Sequence, residues 1–450
     1  MKKEQLIELD IHDLNNLGCG VGRYEGQVVF VSGAVRGDKV RAKIIKVNKS
    51  FAVARLEEVL SPSPVRIDRD LCLAPLSCGG CVYRHITYEE ELKLKSEYVQ
   101  NAFRKAGLPH VQVNPTMSTG KVYGYRNKAQ YPVSATKSGL RAGFFARKSH
   151  NMIPAEGCAI QNPAFAPIVD FVCRFGTENS WSAYDEETGK GLLRHIYLRI
   201  GEKTGEIMLC LVINGDALPN ADKLCQHLSE SFPQVVSLLI NKNKKNTNVV
   251  LGDEYVTLSG RGYIEDELCG LRFKISPQSF YQVNRDGAEL LYRLAKECAD
   301  LTEGDTLMDL YCGTGTIGLS MADKAGRLIG IEIVEQAVEC ARENARGGGI
   351  ENAEFFAADA SDRQVILSAA GGKRPDVVVI DPPRKGSTRV LAETLASLEI
   401  PRIVYVSCDP DTLARDCVWF EELGYSIGDV TPVDMFPRTG HVESVVCLKR

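Results

Sequence analysis

No stretch of this 450-residue chain approaches the roughly 18 uninterrupted apolar residues of a membrane-spanning helix, which removes a helical membrane protein from consideration. The opening residues, MKKEQLIELDIHD, carry two lysines but no apolar core of a secretory leader, so a cytoplasmic protein without membrane contact is expected. Positive charge is not in excess either. The 54 Lys and Arg against 58 Asp and Glu leave a formal net charge of -4, so any contact with nucleic acid has to be local rather than a basic coat. Internal repeats and low-complexity tracts are absent. Cysteine is plentiful at 15 residues, but the number is odd and most sit singly in apolar runs such as EIMLCLVI and SVVCLKR, which argues against a disulfide framework.

The length is enough for two to four domains, and the text of the chain changes character twice. Residues 1–60 alternate apolar and polar positions between glycine turns, which predicts a small OB-like five-stranded all-β barrel. Its segment from Arg36 to Arg55 holds Arg36, Lys39, Arg41, Lys43, Lys46, Lys49 and Arg55 against Asp38 alone, a basic stripe suited to RNA phosphates or an ordinary solvated face. SPSPVR, residues 61–66, reads as a linker. Thr87 with Glu90 three residues on, then Leu92, Val99 and Phe103, and finally Gly107, predicts a capped amphipathic helix. Residues 61–270 mix strands and helices as an α+β domain. Residues 271–450 alternate apolar strand runs with helices, the pattern of an α/β, Rossmann-like parallel sheet, and the tail is too short for a helical crossover, so the last strand should run antiparallel.

Three local patterns carry chemistry. DLYCGTGTIGL places Gly313, Gly315 and Gly318 between a strand and a helix, a nucleotide-type turn shared by dehydrogenases and methyltransferases. IDPPRKG at the end of a later strand, and the antiparallel tail, favour S-adenosylmethionine over NAD; Glu332, ending the second strand, would accept from ribose hydroxyls in either case. Cys408, in VYVSCDPDT, ends a strand on the same sheet edge as Glu443. Uracil C5 is too weak a nucleophile to take a methyl group unaided, whereas a thiolate added at C6 makes it an enolate, and a base must afterwards remove the C5 proton. Cys408 and Glu443 can supply both groups, with His441 as a second candidate base, although on spacing alone a packed cysteine is the favoured reading. The third pattern, CLAPLSCGGC, sets Cys72, Cys78 and Cys81 around two glycines with Cys158 as a remote fourth thiol, a set able to hold zinc or an iron–sulfur cluster.

Together YVSCDPDTLARD, IDPPRKG, SFYQVN, DLYCGTG and MFPRTGHVE resemble, in order and over almost the whole chain, the RumA-type RNA (uracil-5-)-methyltransferases of 23S ribosomal RNA. That resemblance implies an N-terminal TRAM barrel, a central domain and a seven-stranded class I methyltransferase domain. It implies Cys408 as nucleophile and Glu443 as base. Gln282, Tyr311, Gly313, Thr316, Glu332, Asp359 and Asp381 would line the S-adenosylmethionine pocket, and Phe280 would stack on an extruded uracil. It also implies a 4Fe-4S cluster on Cys72, Cys78, Cys81 and Cys158 in preference to zinc, 23S rRNA as partner, and a monomer. A tRNA target, or a noncatalytic RNA-binding or assembly protein, are the alternatives. Arg126, Asn127 and Lys128 match a further family element that could contact RNA or order the fold. One departure stands out: Asp409 follows the cysteine where the family usually has Asn, which could set a negative charge beside the thiol and raise its pKa.

Overall fold

The computed structural model describes residues 1–450 except 68–70, 147, 148, 150 and 155. Strands β1 (Leu6–Leu14), β2 (Cys19–Tyr24), β3 (Gln27–Ser32), β4 (Lys39–Val47) and β5 (Phe51–Ser61) close into a barrel in the order β1-β2-β3-β5-β4. The period-two pattern has the expected cause, since Ile7, Leu9 and Ile11 point inward onto Val29, Val31, Val40, Ala42 and Ile44.

The basic stripe is corrected by the strand pairing. Arg41 meets Glu8 of β1 and Glu58 of β5, Lys43 meets Glu4, Arg55 meets Glu57, and Arg36 leaves the barrel to bind Glu90 and Glu97. Glu8, Glu58 and Glu4 lie across the sheet, Glu57 stands two residues past Arg55 on the same strand, and Glu90 and Glu97 sit on a helix outside the barrel, so all fall outside a window counted from 36 to 55. Among the described residues only Lys39, Lys46 and Lys49 of the seven cations lack an ion pair. The linker is also pinned: buried Asp38 accepts from the backbone N–H of Ser63 at 2.9 Å and of Val35 at 2.7 Å, and pairs with Arg66.

Helix α1 (Tyr88–Lys105) begins as predicted, with Thr87 Oγ1 accepting from the Glu90 N–H at 3.3 Å. Its Val99, Ala102 and Phe103 pack into the core of the C-terminal domain, while Leu94 packs with Leu14 and Val35 of the barrel domain. In between, β6 (Lys128–Thr136), β7 (Gly139–Phe145), β8 (Met152–Pro154), β9 (Leu193–Ile200), β10 (Ile207–Ile213), β11 (Val235–Lys242) and β12 (Glu254–Gly260) form one sheet in the order β12-β11-β10-β9-β6-β7-β8. Helix α2 (Phe165–Glu178) covers it, burying Ile168 and Val172 among Ile196, Leu198 and Leu209.

The hairpin β13 (Ile264–Leu268) and β14 (Leu271–Ile275) spans residue 270, and its Phe273 and Ile275 enter the same core as Leu291 of helix α3 (Arg285–Ala299) and Leu307 of β15 (Thr306–Leu310). There follow α4 (Thr316–Met321), β16 (Arg327–Glu332), α5 (Glu335–Gly347), β17 (Ala353–Ala357), β18 (Val377–Ile380), β19 (Arg402–Ser407), α6 (Pro410–Glu422), β20 (Ser426–Ile427), β21 (Thr431–Val433) and β22 (Glu443–Lys449). The sheet runs β17-β16-β15-β18-β19-β22-β20, with short β21 added beside β22. Strands β15 to β19 are parallel, and β22 inserts antiparallel to β19, as the short tail requires. The strand order reverses between β15 and β18, so a crevice opens outside their carboxyl ends.

Candidate active site

That crevice is a cleft of about 1230 Å³. Its floor is the turn after β15. Tyr311 and Gly313 both take positive φ, 64° and 54°, and a Cβ on Gly313 would meet no atom within 4 Å, leaving the backbone open to a ligand. Gly318 serves a different need, because a Cβ there would lie 2.8 Å from Asp309 Oδ2, the acceptor of its own N–H. Glu332 accepts from the N–H of Gly313 at 3.1 Å and of Val334 at 3.0 Å, which fixes its carboxylate at the rim. Asp359 accepts from the Ser361 N–H and hydroxyl, and these bonds hold its carboxyl below the usual range. Gln282, Tyr311, Gly313, Glu332, Asp359 and Asp381 all line the cleft. Thr316 does not; it starts α4 and its hydroxyl is hydrogen bonded to Tyr292 at 3.0 Å.

Register explains how the two reactive candidates meet. Ser407 on β19 pairs with Ser444 on β22, so the next residue of one strand and the preceding residue of the other, Cys408 and Glu443, become neighbours at the sheet edge. Both line the cleft. Burial pushes the Glu443 carboxyl up to about 8, Asp381 adds to the shift, and Arg384 opposes it. Burial likewise pushes the Cys408 thiol up to about 11, with Glu443 and Asp381 adding and Arg384 opposing. Arg384 is therefore a site residue that motif reading passed over, although it directly follows the DPP turn. Asp409 does not act as expected. Its Oδ1 accepts from the N–H groups of Asp411 and Thr412, so the carboxylate caps α6 instead of facing the thiol.

Phe280 is 63% exposed at the mouth of the cleft, which rules out core packing, whereas Tyr281 is buried and donates to Asp266 at 3.0 Å. The Arg126, Asn127, Lys128 element divides its duties. Asn127 is buried and donates to the carbonyls of Gln282 and Val283, ordering the Phe280 segment, while Arg126 and Lys128 line the cleft. Burial and the neighbouring Arg199 and Arg126 lower the Lys128 ammonium to about 8.

The cysteine loop sits beside this cleft, and its Gly80 lines it. Burial, then repulsion from Cys158, Cys72 and Cys78, pushes the Cys81 thiol up to about 12, so the four sulfurs lie within electrostatic reach of one another. Among the described residues, however, no group of three or more His, Cys, Asp and Glu side chains has the geometry of a metal site. The donor chemistry fits a thiolate-bound centre, but the expected cluster is not borne out by the arrangement of the side chains.

The segment carrying Glu443 is held by a buried charge network. Lys95, 1% exposed, donates to Glu91 at 2.9 Å and to Asp434 at 2.7 Å; Tyr88 also donates to Asp434, and the Arg438 N–H donates to Glu91 at 2.7 Å. The carbonyl of Arg438 accepts from the N–H groups of Val82 and Tyr83, next to the cysteine loop. Gly440 lies so close to the barrel that a Cβ would stand 1.8 Å from the Asn16 carbonyl oxygen.

Comparison with known proteins agrees with this geometry. Residues 87–450 match the family model described as tRNA (Uracil-5-)-methyltransferase, and residues 2–56 match that of the TRAM domain. An uncharacterized RNA methyltransferase of Clostridium acetobutylicum is 41% identical over all of this chain and 98% of its own length, and one of Halalkalibacterium halodurans is 40% identical with the same coverage. The crystal structure of the Pyrococcus abyssi tRNA (uracil-54, C5)-methyltransferase in complex with S-adenosyl-L-homocysteine superimposes with a TM-score of 0.79 at 27% identity, covering 98% of this chain and 100% of that one.

Proposed function

The chain belongs to the tRNA (uracil-5-)-methyltransferase family, with an N-terminal TRAM domain, and from that premise we propose that it methylates C5 of a uracil in 23S rRNA through a covalent Cys408 adduct. The observation that carries the reading is the β19–β22 register, which makes Cys408 and Glu443 neighbours on the wall of a cleft with Phe280 exposed at its mouth. S-adenosylmethionine, when bound, supplies an electrophilic methyl group. The open backbone at Gly313 and the Glu332 carboxylate are suited to hold it, with Gln282, Tyr311, Asp359 and Asp381 around it; Thr316 contributes by starting α4. Phe280 stacks on the extruded base. Cys408 adds through sulfur to C6, and Arg384 favours its thiolate. Glu443, more basic than an ordinary carboxylate because it is buried, takes the C5 proton, after which the C6–S bond breaks and the thiolate is released.

The motif set and the cysteine loop support 23S rRNA as the substrate. The tRNA reading is favoured by the Pyrococcus abyssi neighbour, which acts on tRNA. Mapping 5-methyluridine in 23S rRNA and in tRNA, from cells with the gene, without it, and with Cys408→Ala, separates them. Loss from 23S rRNA alone is expected; loss from tRNA alone assigns the second reading, and no loss from either overturns both. Cys72, Cys78, Cys81 and Cys158 would hold a 4Fe-4S cluster, supplying a cross-link for the loop beside the cleft and not a reaction step. Iron and acid-labile sulfide in equal amounts in anaerobically purified protein are the expected result, and zinc without sulfide would replace that assignment.

A further inference from the structure

Away from the cleft and from the cysteine loop, two more thiols meet. Cys298 lies in the last turn of α3 and Cys447 in β22, an element pair in direct packing contact. Cys447 Sγ donates to the Cys298 carbonyl oxygen at 3.5 Å, which sets the two cysteines side by side. Both are free and half-buried, so the pair is neither sealed in the core nor fully solvated. The cations Lys449 and Arg402 flank it, while Asp300 opposes them more weakly. We propose that Cys298 and Cys447 form a peroxide-responsive thiol pair that closes into a disulfide joining α3 to the last strand.

The electrostatics agree with the geometry. Interaction between the two thiols lowers Cys447, whose thiolate Lys449 and Arg402 also favour, and raises Cys298. Cys408, by contrast, is raised to about 11 and Cys81 to about 12. In the reaction the Cys447 thiolate attacks one peroxide oxygen; the O–O bond breaks and the departing hydroxide is protonated to water, leaving a sulfenic acid. The Cys298 thiol then gives up its proton as its sulfur attacks Cys447 sulfur, and the S–O bond breaks with loss of a second water. Two thiols are oxidised by two electrons and one peroxide is reduced. The bond would link α3, which follows directly on Gln282 and is capped by Asn284, to the strand that begins with Glu443.

The test uses the full-length protein and hydrogen peroxide at one equivalent. A thiol lowered below its ordinary value carries more thiolate near neutral pH, so Cys447 should be oxidised ahead of the raised Cys408. Non-reducing peptide mapping should find the Cys298–Cys447 link as the first disulfide formed, with a raised thermal midpoint that dithiothreitol reverses. In Cys298→Ser the sulfenic acid should persist on Cys447 and be trapped by dimedone, a readout that does not depend on the disulfide closing. Cys447 and Cys298 remaining alkylatable while other thiols oxidise, or pairing only after thermal unfolding, would overturn the proposal.

Discussion

Replacing Lys95 by Met tests whether the buried charge network sets the stability of the segment that carries Glu443. The ammonium is 1% exposed and donates to Glu91 at 2.9 Å, to Asp434 at 2.7 Å and to the Phe436 carbonyl at 3.3 Å. Met fills nearly the same volume, so the packing loss is small and the change is electrostatic. Two carboxylates that are 0% and 1% exposed would then keep only the Arg438 side chain, the Tyr88 hydroxyl and the backbone N–H groups of Phe436 and Arg438. Breaking a buried ion pair from one side costs about 3–5 kcal/mol. Glu91 is already raised to about 7 by burial despite Lys95, so it would take up a proton in the variant and recover part of that cost. The sign follows from linkage: a carboxyl raised above its unfolded value favours the folded state below the ordinary carboxylate range and loses that contribution as pH rises through the folded value. Urea unfolding of Lys95→Met should therefore show the full deficit near pH 8 and a much smaller one near pH 5. A deficit under about 1 kcal/mol at pH 8, or one that does not shrink on acidification, would refute the reasoning.

Three further outcomes follow from the site. Glu443→Gln should lower turnover by about 10²–10⁴ and accumulate a protein–RNA adduct on denaturing gels, because the methylated C5 keeps its proton; the parent's kcat/KM should rise with pH through about 8 as Glu443 ionises. Asp409→Asn should leave kcat within about twofold and stability within about 0.5 kcal/mol, since both residues cap a helix equally well; a tenfold faster enzyme would mean that the carboxylate does burden the thiol. Gly440→Ala should destabilise by about 1–3 kcal/mol and weaken RNA binding while sparing S-adenosylhomocysteine affinity, measured by thermal unfolding and calorimetry, because the new methyl displaces the Asn16 carbonyl.

What the sequence made legible was whatever is local or strictly periodic. The barrel strands, the Thr87 cap, the glycine turn after β15 and the antiparallel final strand depend on residues a few positions apart, and all stand where their spacing put them. Relations across strands were not legible. The seven cations of residues 36–55 looked like a stripe because Glu4, Glu8 and Glu58 become neighbours only through the barrel register, and Glu57 stands just past the end of that window. Thr316 matched a motif position yet turned its hydroxyl to Tyr292, a partner 24 residues upstream. Arg384 and the Lys95 network were missed for the same reason, as their meaning lies in which charges they face after folding.

The docking of the barrel loop on Gly440 and the pinning of residues 63–66 by Asp38 make the N-terminal domain a fixed gauge rather than a tethered bead. On the proposed reading, an RNA held by the barrel would present its reactive base at a set distance, and lengthening the chain between the domains would not extend the reach unless those contacts were also broken. Selection would then rest on the span between two points of a folded RNA as well as on the letters around the uracil. A short unstructured oligonucleotide can fill the cleft without meeting that measure.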